Sequence, residues 1–289
     1  MHLHNKKDPW LFLALPLAAF TTVVIVPIFT SIYLSFSNWT GFSNVTFAGF
    51  SNYIKMFQDP NIGQVLKNTF LYALTATVCQ VGGGLFLAIL VSRIKIGNNI
   101  VRVLLFTPVV ISSMAMAQTF RRFLSINPDG VVNALLGAVG LENLKMAFLS
   151  DVHITLFILA FIESMRFAGL YMVIFYTALI SVDSGVLEAA SIDGAASIKT
   201  LFYVQLPMIK SVIINSIVLA LVGTLKAFDG PYIMTNGGPG YATELMSIFI
   251  YKRAFNMMDY GYGSALAVLM SVICIGAYLI LDRLKKEKD

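Results

Sequence analysis

Residues 10–36 read WLFLALPLAAFTTVVIVPIFTSIYLSF. This stretch is long enough to cross a bilayer, which needs about 20 consecutive apolar residues per helix. It sits in a longer interval, Pro9 to Ile54, that holds no Asp, Glu, Lys or Arg. Lys6 and Lys7 precede it, as they would in a secretory leader, but its apolar length exceeds the roughly 7–15 residues of a leader's core, so an uncleaved anchor is expected. Comparable runs follow between Lys67 and Arg93, Arg102 and Arg121, Lys210 and Lys226, and Asp259 and Asp282. A further run, Ile154 to Ile180, is interrupted only by Glu163 and Arg166. Six spans follow from this count, and the fold class is an all-α membrane protein with six transmembrane helices.

Composition agrees. Of 289 residues, 57% are hydrophobic and 12% charged, against a usual charged share of about 25%, and the mean hydropathy is +0.79. A solvated globular enzyme is excluded. Six crossings put both termini on one side, and Lys and Arg concentrate on the cytoplasmic side of membrane proteins. With the termini inside, the inner segments hold eleven basic residues (Lys6, Lys7, Arg93, Lys95, Arg102, Lys199, Lys210, Arg283, Lys285, Lys286, Lys288) and the outer segments eight (Lys55, Lys67, Arg121, Arg122, Lys145, Lys226, Lys252, Arg253). The net charge of +5 then reflects orientation and anionic headgroups rather than nucleic acid.

Several chemistries are missing. Cys79 and Cys274 fall inside spans and read as apolar filler, and His2, His4 and His153 lack metal-site spacing. No Gly is followed by Lys, so there is no phosphate-cradling G-x-x-x-x-G-K loop, and no G-x-S-x-G elbow occurs.

The inner loop between the fourth and fifth spans, SVDSGVLEAASIDGAASIKTLFYVQLP from Ser181 to Pro207, is unusual. Asp183 or Ser184 suits the cap of a short helix through Leu187, Glu188, Ala189, Ala190 and Ile192, with Gly194 as a left-handed stop. A second helix is expected from Ala195 to Gln205, with Pro207 in the first turn of the fifth span. Such a helix pair carries a small, partly apolar face suited to a partner's groove, or lies as a connector on the headgroups.

The residues of this loop carry a resemblance. Glu188-Ala189-Ala190, Asp193-Gly194-Ala195, Phe202 and Leu206-Pro207 resemble the EAA loop of permease subunits in bacterial ATP-binding-cassette importers. Phe228-Asp229, Pro231 to Thr235, Gly237-Gly238-Pro239, Thr243-Glu244 and Asp259 to Gly263 resemble the maltose and multiple-sugar branch of that family. The resemblance implies an ABC importer type I permease fold. It sets off residues 1–67 as tail, first span and outer loop, 68–282 as the transmembrane type-1 domain with a coupling loop at 183–207, and 283–289 as a basic cytoplasmic tail. It implies a sugar-importer subunit that is not an enzyme and binds no cofactor of its own. The expected partners are a second permease, two copies of a cytoplasmic ATPase that uses ATP and Mg, an extracellular sugar-binding protein and the lipid bilayer. Glu188, Ala189, Ala190, Asp193, Gly194, Ala195, Leu206 and Pro207 would meet the ATPase, and the location would be the bacterial plasma membrane.

Polar groups inside a span are costly and face a cavity or a partner. Glu163, Arg166 and Leu170 share one helical face by their spacing of three and four, with Phe167 and Tyr171 beside it. Arg166 either pairs with Glu163 to lock helices together or lines a path. On the fifth span Ser216, Ala220, Gly223, Thr224 and Ala227 recur at the same spacings, as in tight helix packing; in the resembled family comparable positions touch sugar. Gly82-Gly83-Gly84 favour close helix packing, and Gln80 is a further candidate for the path. A permease of the same branch for polyols or glycerol-phosphate esters, or an ion-coupled carrier, are the alternatives.

Overall fold

The computed structural model describes residues 8–286 except positions 43, 194 and 196. His2, His4, Lys6, Lys7, Gly194 and Lys288 therefore lie outside the described residues.

In chain order, helix α1 (Phe12–Ser35) leads into a short hairpin of β1 (Ser37–Asn38) and β2 (Thr46–Phe47). Then come α2 (Ser51–Gln58) and the long α3 (Ile62–Ser92). Next, α4 (Asn98–Val110) and α5 (Ser113–Phe123) meet at a bend of 93°. The chain continues through α6 (Val131–Ala138), α7 (Thr155–Ile180) and α8 (Ser184–Ile192). Helix α9 (Ile198–Met208) is bent by 67° against α10 (Lys210–Leu225). The last elements are α11 (Asp229–Thr235), α12 (Met246–Tyr251) and α13 (Tyr260–Lys286).

Among the described residues, α1, α3, α7 and α13 are each long and apolar enough to cross a membrane, and counting each of the two bent pairs as one span gives six. The expected third and fifth spans are thus not straight. In the third, Pro108 deprives the Leu104 carbonyl of its helical donor, and Ile111 and Ser112 then turn extended, with ψ 135° at both. In the fifth, Ile209 leaves helical geometry at φ −96°, ψ 11°. The second helix of the inner loop therefore runs on through Pro207 to Met208, and the fifth span starts at Lys210 rather than at the proline. Pro27 and Pro207 share a local signature: each follows a turn widened to the π form, Thr21–Ile25 and Leu201–Gln205 respectively. Widening rearranges the carbonyls that a proline leaves without a helical N–H.

The chain divides into two compact units. The first comprises residues up to 62 together with 249–273. Within it, buried Asn52 donates from Nδ2 to the carbonyls of Ser35 and Ser37 at 3.0 and 2.9 Å, fixing α2 to the end of α1. Asp59 accepts from Arg253 Nη2 and from the Tyr262 hydroxyl, each at 3.1 Å.

The second unit comprises residues 63–248 and those from 274 on. Its core lies along α3 and α7. One cluster gathers Ala88 and Val91 of α3, Met172, Phe175 and Leu179 of α7, and Leu201, Ile209 and Ala220. The other gathers Tyr72 and Ala76, Ala117, Leu156, Leu159, Ala160 and Ile162, Met234, Leu245 and Ile248. Lipid provides no hydrophobic drive between helices, so small residues set their approach. Gly84 of α3 lies against Tyr171 and the backbone of Ala168 and Met172, and Gly169 of α7 lies on the Leu105 carbonyl of α4. Of the three consecutive glycines, Gly84 has this tight contact, while a Cβ at Gly82 would meet nothing. Phe70, Leu74, Val78, Phe86 and Leu90 form an exposed stripe on α3, a face suited to acyl chains or another subunit.

Candidate functional site

Three helices of the second unit converge on a cavity of about 260 Å³. Gln80 enters it from α3, Glu163, Phe167, Leu170 and Tyr171 from α7, and Ala220, Gly223 and Thr224 from α10. Buried hydroxyls hold the helices in place. The Oγ1 atoms of Thr77 and Thr224 are 3.2 Å apart, joining α3 to α10. Ser164 donates to the Ala160 carbonyl at 2.6 Å and also to the Ala76 carbonyl at 3.2 Å, joining α7 to α3. Each bond satisfies a hydroxyl that hydrocarbon would otherwise leave unpaired.

The polar groups of the cavity are less completely matched. Gln80 is 2% exposed, and its Nε2 has no hydrogen-bond partner. An amide donor so placed costs about 1–3 kcal/mol while unpaired, so it is suited to a ligand oxygen. Arg166 Nη1 stands 3.8 Å from Glu163 Oε1, an ion pair too long for a hydrogen bond. The guanidinium lies over the Phe167 ring, 4.8 Å from its centroid, and its buried Nε is unpaired.

The expected path residues separate here. Glu163, Phe167, Leu170, Tyr171, Ala220, Gly223 and Thr224 come together as the sequence indicates. Arg166 turns instead into a neighbouring crevice beside Ser113, Met116 and Pro231, which Glu163 also lines. The crevice forms where α5 crosses α11, a contact that only tertiary structure creates. Ala227 is also displaced from the expected stripe: α10 ends at Leu225, and Ala227 packs on the cluster around Met234 while its carbonyl accepts from Ser247. Gln80, which the sequence raised without placing it among the path residues, is the addition; a lone amide in an apolar run was its signal.

The helix pair α8–α9 forms the second candidate region. Of the two cap candidates, Asp183 rather than Ser184 caps α8, its Oδ1 accepting from the Gly185 N–H at 2.7 Å. At the other end Asp193 N and Ala195 N donate to the Ala189 and Ala190 carbonyls, both at 3.0 Å. Glu188, Ala189 and Asp193 are exposed, Ala190 and Ala195 half-buried. No residue of α8 is buried. Ile192 is 86% exposed, and Ile198, Phe202 and Tyr203 also present apolar surface. Leu206 packs on the core cluster beside buried Leu201 and Ile209, whereas Pro207 is exposed. The base of the pair is therefore anchored in the core and its tip is left uncovered.

The chain as a whole is similar to known membrane transport proteins. A family model described as "Binding-protein-dependent transport system inner membrane component" matches residues 80–288. "Probable ABC transporter permease protein YurN" of Bacillus subtilis (strain 168) is 36% identical over 96% of this chain and 95% of its own length. The multiple sugar-binding transport system permease protein MsmF of Streptococcus mutans is 30% identical over 96% of this chain and 94% of its own. The lactose transport system permease protein LacF of Rhizobium radiobacter is 29% identical over 96% and 94%. A chain of the crystal structure of a bacterial alginate ABC transporter, in complex with an alginate pentasaccharide-bound periplasmic protein, superposes with a TM-score of 0.83 at 20% identity, covering 97% of this chain and 96% of that one.

Proposed function

The chain belongs to the family of binding-protein-dependent transport system inner membrane components, and from this premise we propose that it is one of two permease subunits of an ATP-driven importer of sugars, of oligosaccharide size. The names of MsmF and LacF support the sugar assignment. Family membership makes it a transport component of the inner membrane that works with a binding protein, and not an enzyme. A second permease and two copies of a cytoplasmic ATPase complete the assembly; ATP and Mg are used by the ATPase, and this chain binds neither. Both termini face the cytoplasm, in line with the excess of Lys and Arg on that side.

One observation carries the mechanism. The α8–α9 pair is inserted between α7 and α10, and those two helices carry Glu163, Phe167, Tyr171, Ala220 and Thr224 into the cavity. Displacement of the pair is thereby passed along two helices to the site where a sugar would lie. Closure of the ATPase on Glu188, Ala189, Ala190 and Asp193 would move the pair, with Leu206 and Ile209 as its rigid root, and part α7 from α10 at the cavity. Coupling of this kind requires contacts that differ between the two states. In the cavity the Gln80 amide donates to a sugar oxygen, the Glu163 carboxylate accepts from sugar hydroxyls, and Phe167 offers an apolar ring face.

The test is uptake of labelled oligosaccharides into proteoliposomes holding both permeases, with and without the ATPase. The reading requires uptake that stops when the ATPase or ATP is withheld. Uptake that continues on an ion gradient alone overturns it.

A further inference from the structure

A second, larger cavity lies at the other end of α7 from the α8–α9 pair. It measures about 680 Å³, inside the range of about 300–1,000 Å³ typical of small-ligand sites. Helix α7 has 26 residues, which separates the two ends by about 39 Å at 1.5 Å per residue.

It is open to solvent on one side and flanked by three walls: Arg121 and Arg122 at the end of α5 with the following turn Ser125 to Asn127, the segment Ala147 to Ser150, and the segment from Met234 to Pro239. Buried side chains pin these walls. Asn133, 0% exposed, donates to the Ser125 carbonyl at 2.9 Å and to the Met146 carbonyl at 3.1 Å, and accepts from Met146 N at 3.2 Å. It thus ties the first wall to the second. Thr243, also fully buried, donates to the Gly238 carbonyl at 2.7 Å and meets Thr235 Oγ1 at 2.8 Å, fixing the third. Gly130 lets the first wall fold back, since a Cβ there would collide with the carbonyls of Arg122 and Phe123.

The charge of this cavity is uncompensated. No carboxylate is among its lining residues, and among the described residues the guanidinium groups of Arg121 and Arg122, both on exposed residues, make no ion pair or hydrogen bond. The two acids next to its walls are committed elsewhere. Asp129 pairs with Lys145 at 2.9 Å, and that bond raises the Lys145 pKa above its ordinary value. Asp151 accepts from the N–H groups of His153 and Ile154 at 2.7 and 3.1 Å, closing the turn that precedes α7. Two guanidinium forks beside Gln118, Ser125, Asn127 and Ser150 offer paired donors for one anionic group and single donors and acceptors for hydroxyls.

We propose that this cavity is a binding site for a saccharide bearing a carboxylate, with Arg121 and Arg122 holding the acid and the amide and hydroxyl side chains holding the ring. The shared chemistry is an oxyanion on a polyhydroxylated carrier, which an anionic lipid headgroup also presents. The proposal rests on the importer reading in treating that saccharide as cargo, whereas its test does not use transport.

The experiment measures equilibrium binding to the full chain, with its partner permease, in nanodiscs of phosphatidylcholine. Digalacturonate is expected to bind at least about tenfold tighter than neutral digalactose, the discrimination of one charge-assisted fork. Arg121→Gln with Arg122→Gln is expected to erase that preference at an unchanged thermal midpoint. Ser150→Trp, which fills the cavity from an exposed position on another wall, is expected to abolish binding and serves if the double variant is unstable. Equal binding of the two sugars, or a preference that survives both changes, overturns the proposal. Displacement by equimolar inorganic phosphate, or by phosphatidylglycerol in the disc, overturns it in favour of a general anion or headgroup site. Failure of ATP-dependent uptake would strike the importer reading and leave these binding results standing.

Discussion

Gly84 and Tyr171 meet so closely that a Cβ on the glycine would stand 2.5 Å from the tyrosine Cβ. Two helices that both line the cavity therefore cross at the closest approach the backbone permits. Gly84→Val should cost about 1–3 kcal/mol by overpacking and lower the thermal midpoint of the detergent-solubilised chain. Gly82→Ala, where a Cβ meets nothing, should leave it unchanged, and equal loss in both would remove the crossing from the account.

Gln80 presents an unpaired amide to the cavity. Gln80→Leu removes that unsatisfied donor at similar volume, so stability should hold or rise by up to about 1 kcal/mol. Uptake should need about tenfold more sugar for half-maximal rate, the loss of one good hydrogen bond. Unchanged uptake kinetics at normal yield would place Gln80 outside the path.

Glu163 and Arg166 are half-buried and paired at 3.8 Å. Removing one partner leaves the other charge uncompensated, so Arg166→Ala should lower stability by a few kcal/mol. Adding Glu163→Gln should recover most of that loss. If the pair only locks helices, transport returns with stability; because Glu163 also lines the cavity, the expectation is that stability returns and transport does not.

Asp183 caps α8 through Gly185 N, and caps of this kind contribute about 1 kcal/mol. With no buried residue to hold α8, Asp183→Ala should fray it while membrane insertion and yield stay normal. The measurement is ATPase co-purification together with uptake: both should fall, and retention of both would show that α8 need not be helical to act.

The spans were legible because bilayer thickness demands long apolar runs, and the Asp183 cap because capping is a local interaction between neighbours in sequence. The bends were less so. Pro108 and Pro207 announce disrupted hydrogen bonding, yet the breaks fall a few residues on, at exposed Ile111–Ser112 and at Ile209, which is buried in the core. Helical spacing put Arg166 on one face with Glu163, but its long side chain reaches into a crevice made by α5 and α11. Ala227 was placed on a stripe that the helix does not reach, because α10 stops at Leu225. The cavity at Arg121 and Arg122 depends on Asn133 and Thr243 linking distant segments, and residue order alone carries no sign of it.

The most direct measurement places a photoreactive amino acid at Ala189, exposed on α8, in the complex assembled with its ATPase and partner permease. Docking of α8 on the ATPase predicts a covalent product with that subunit whose yield changes between the nucleotide-free and ATP-bound states while uptake remains active. A transporting complex in which Ala189 reacts only with lipid or solvent, in every nucleotide state, would contradict it.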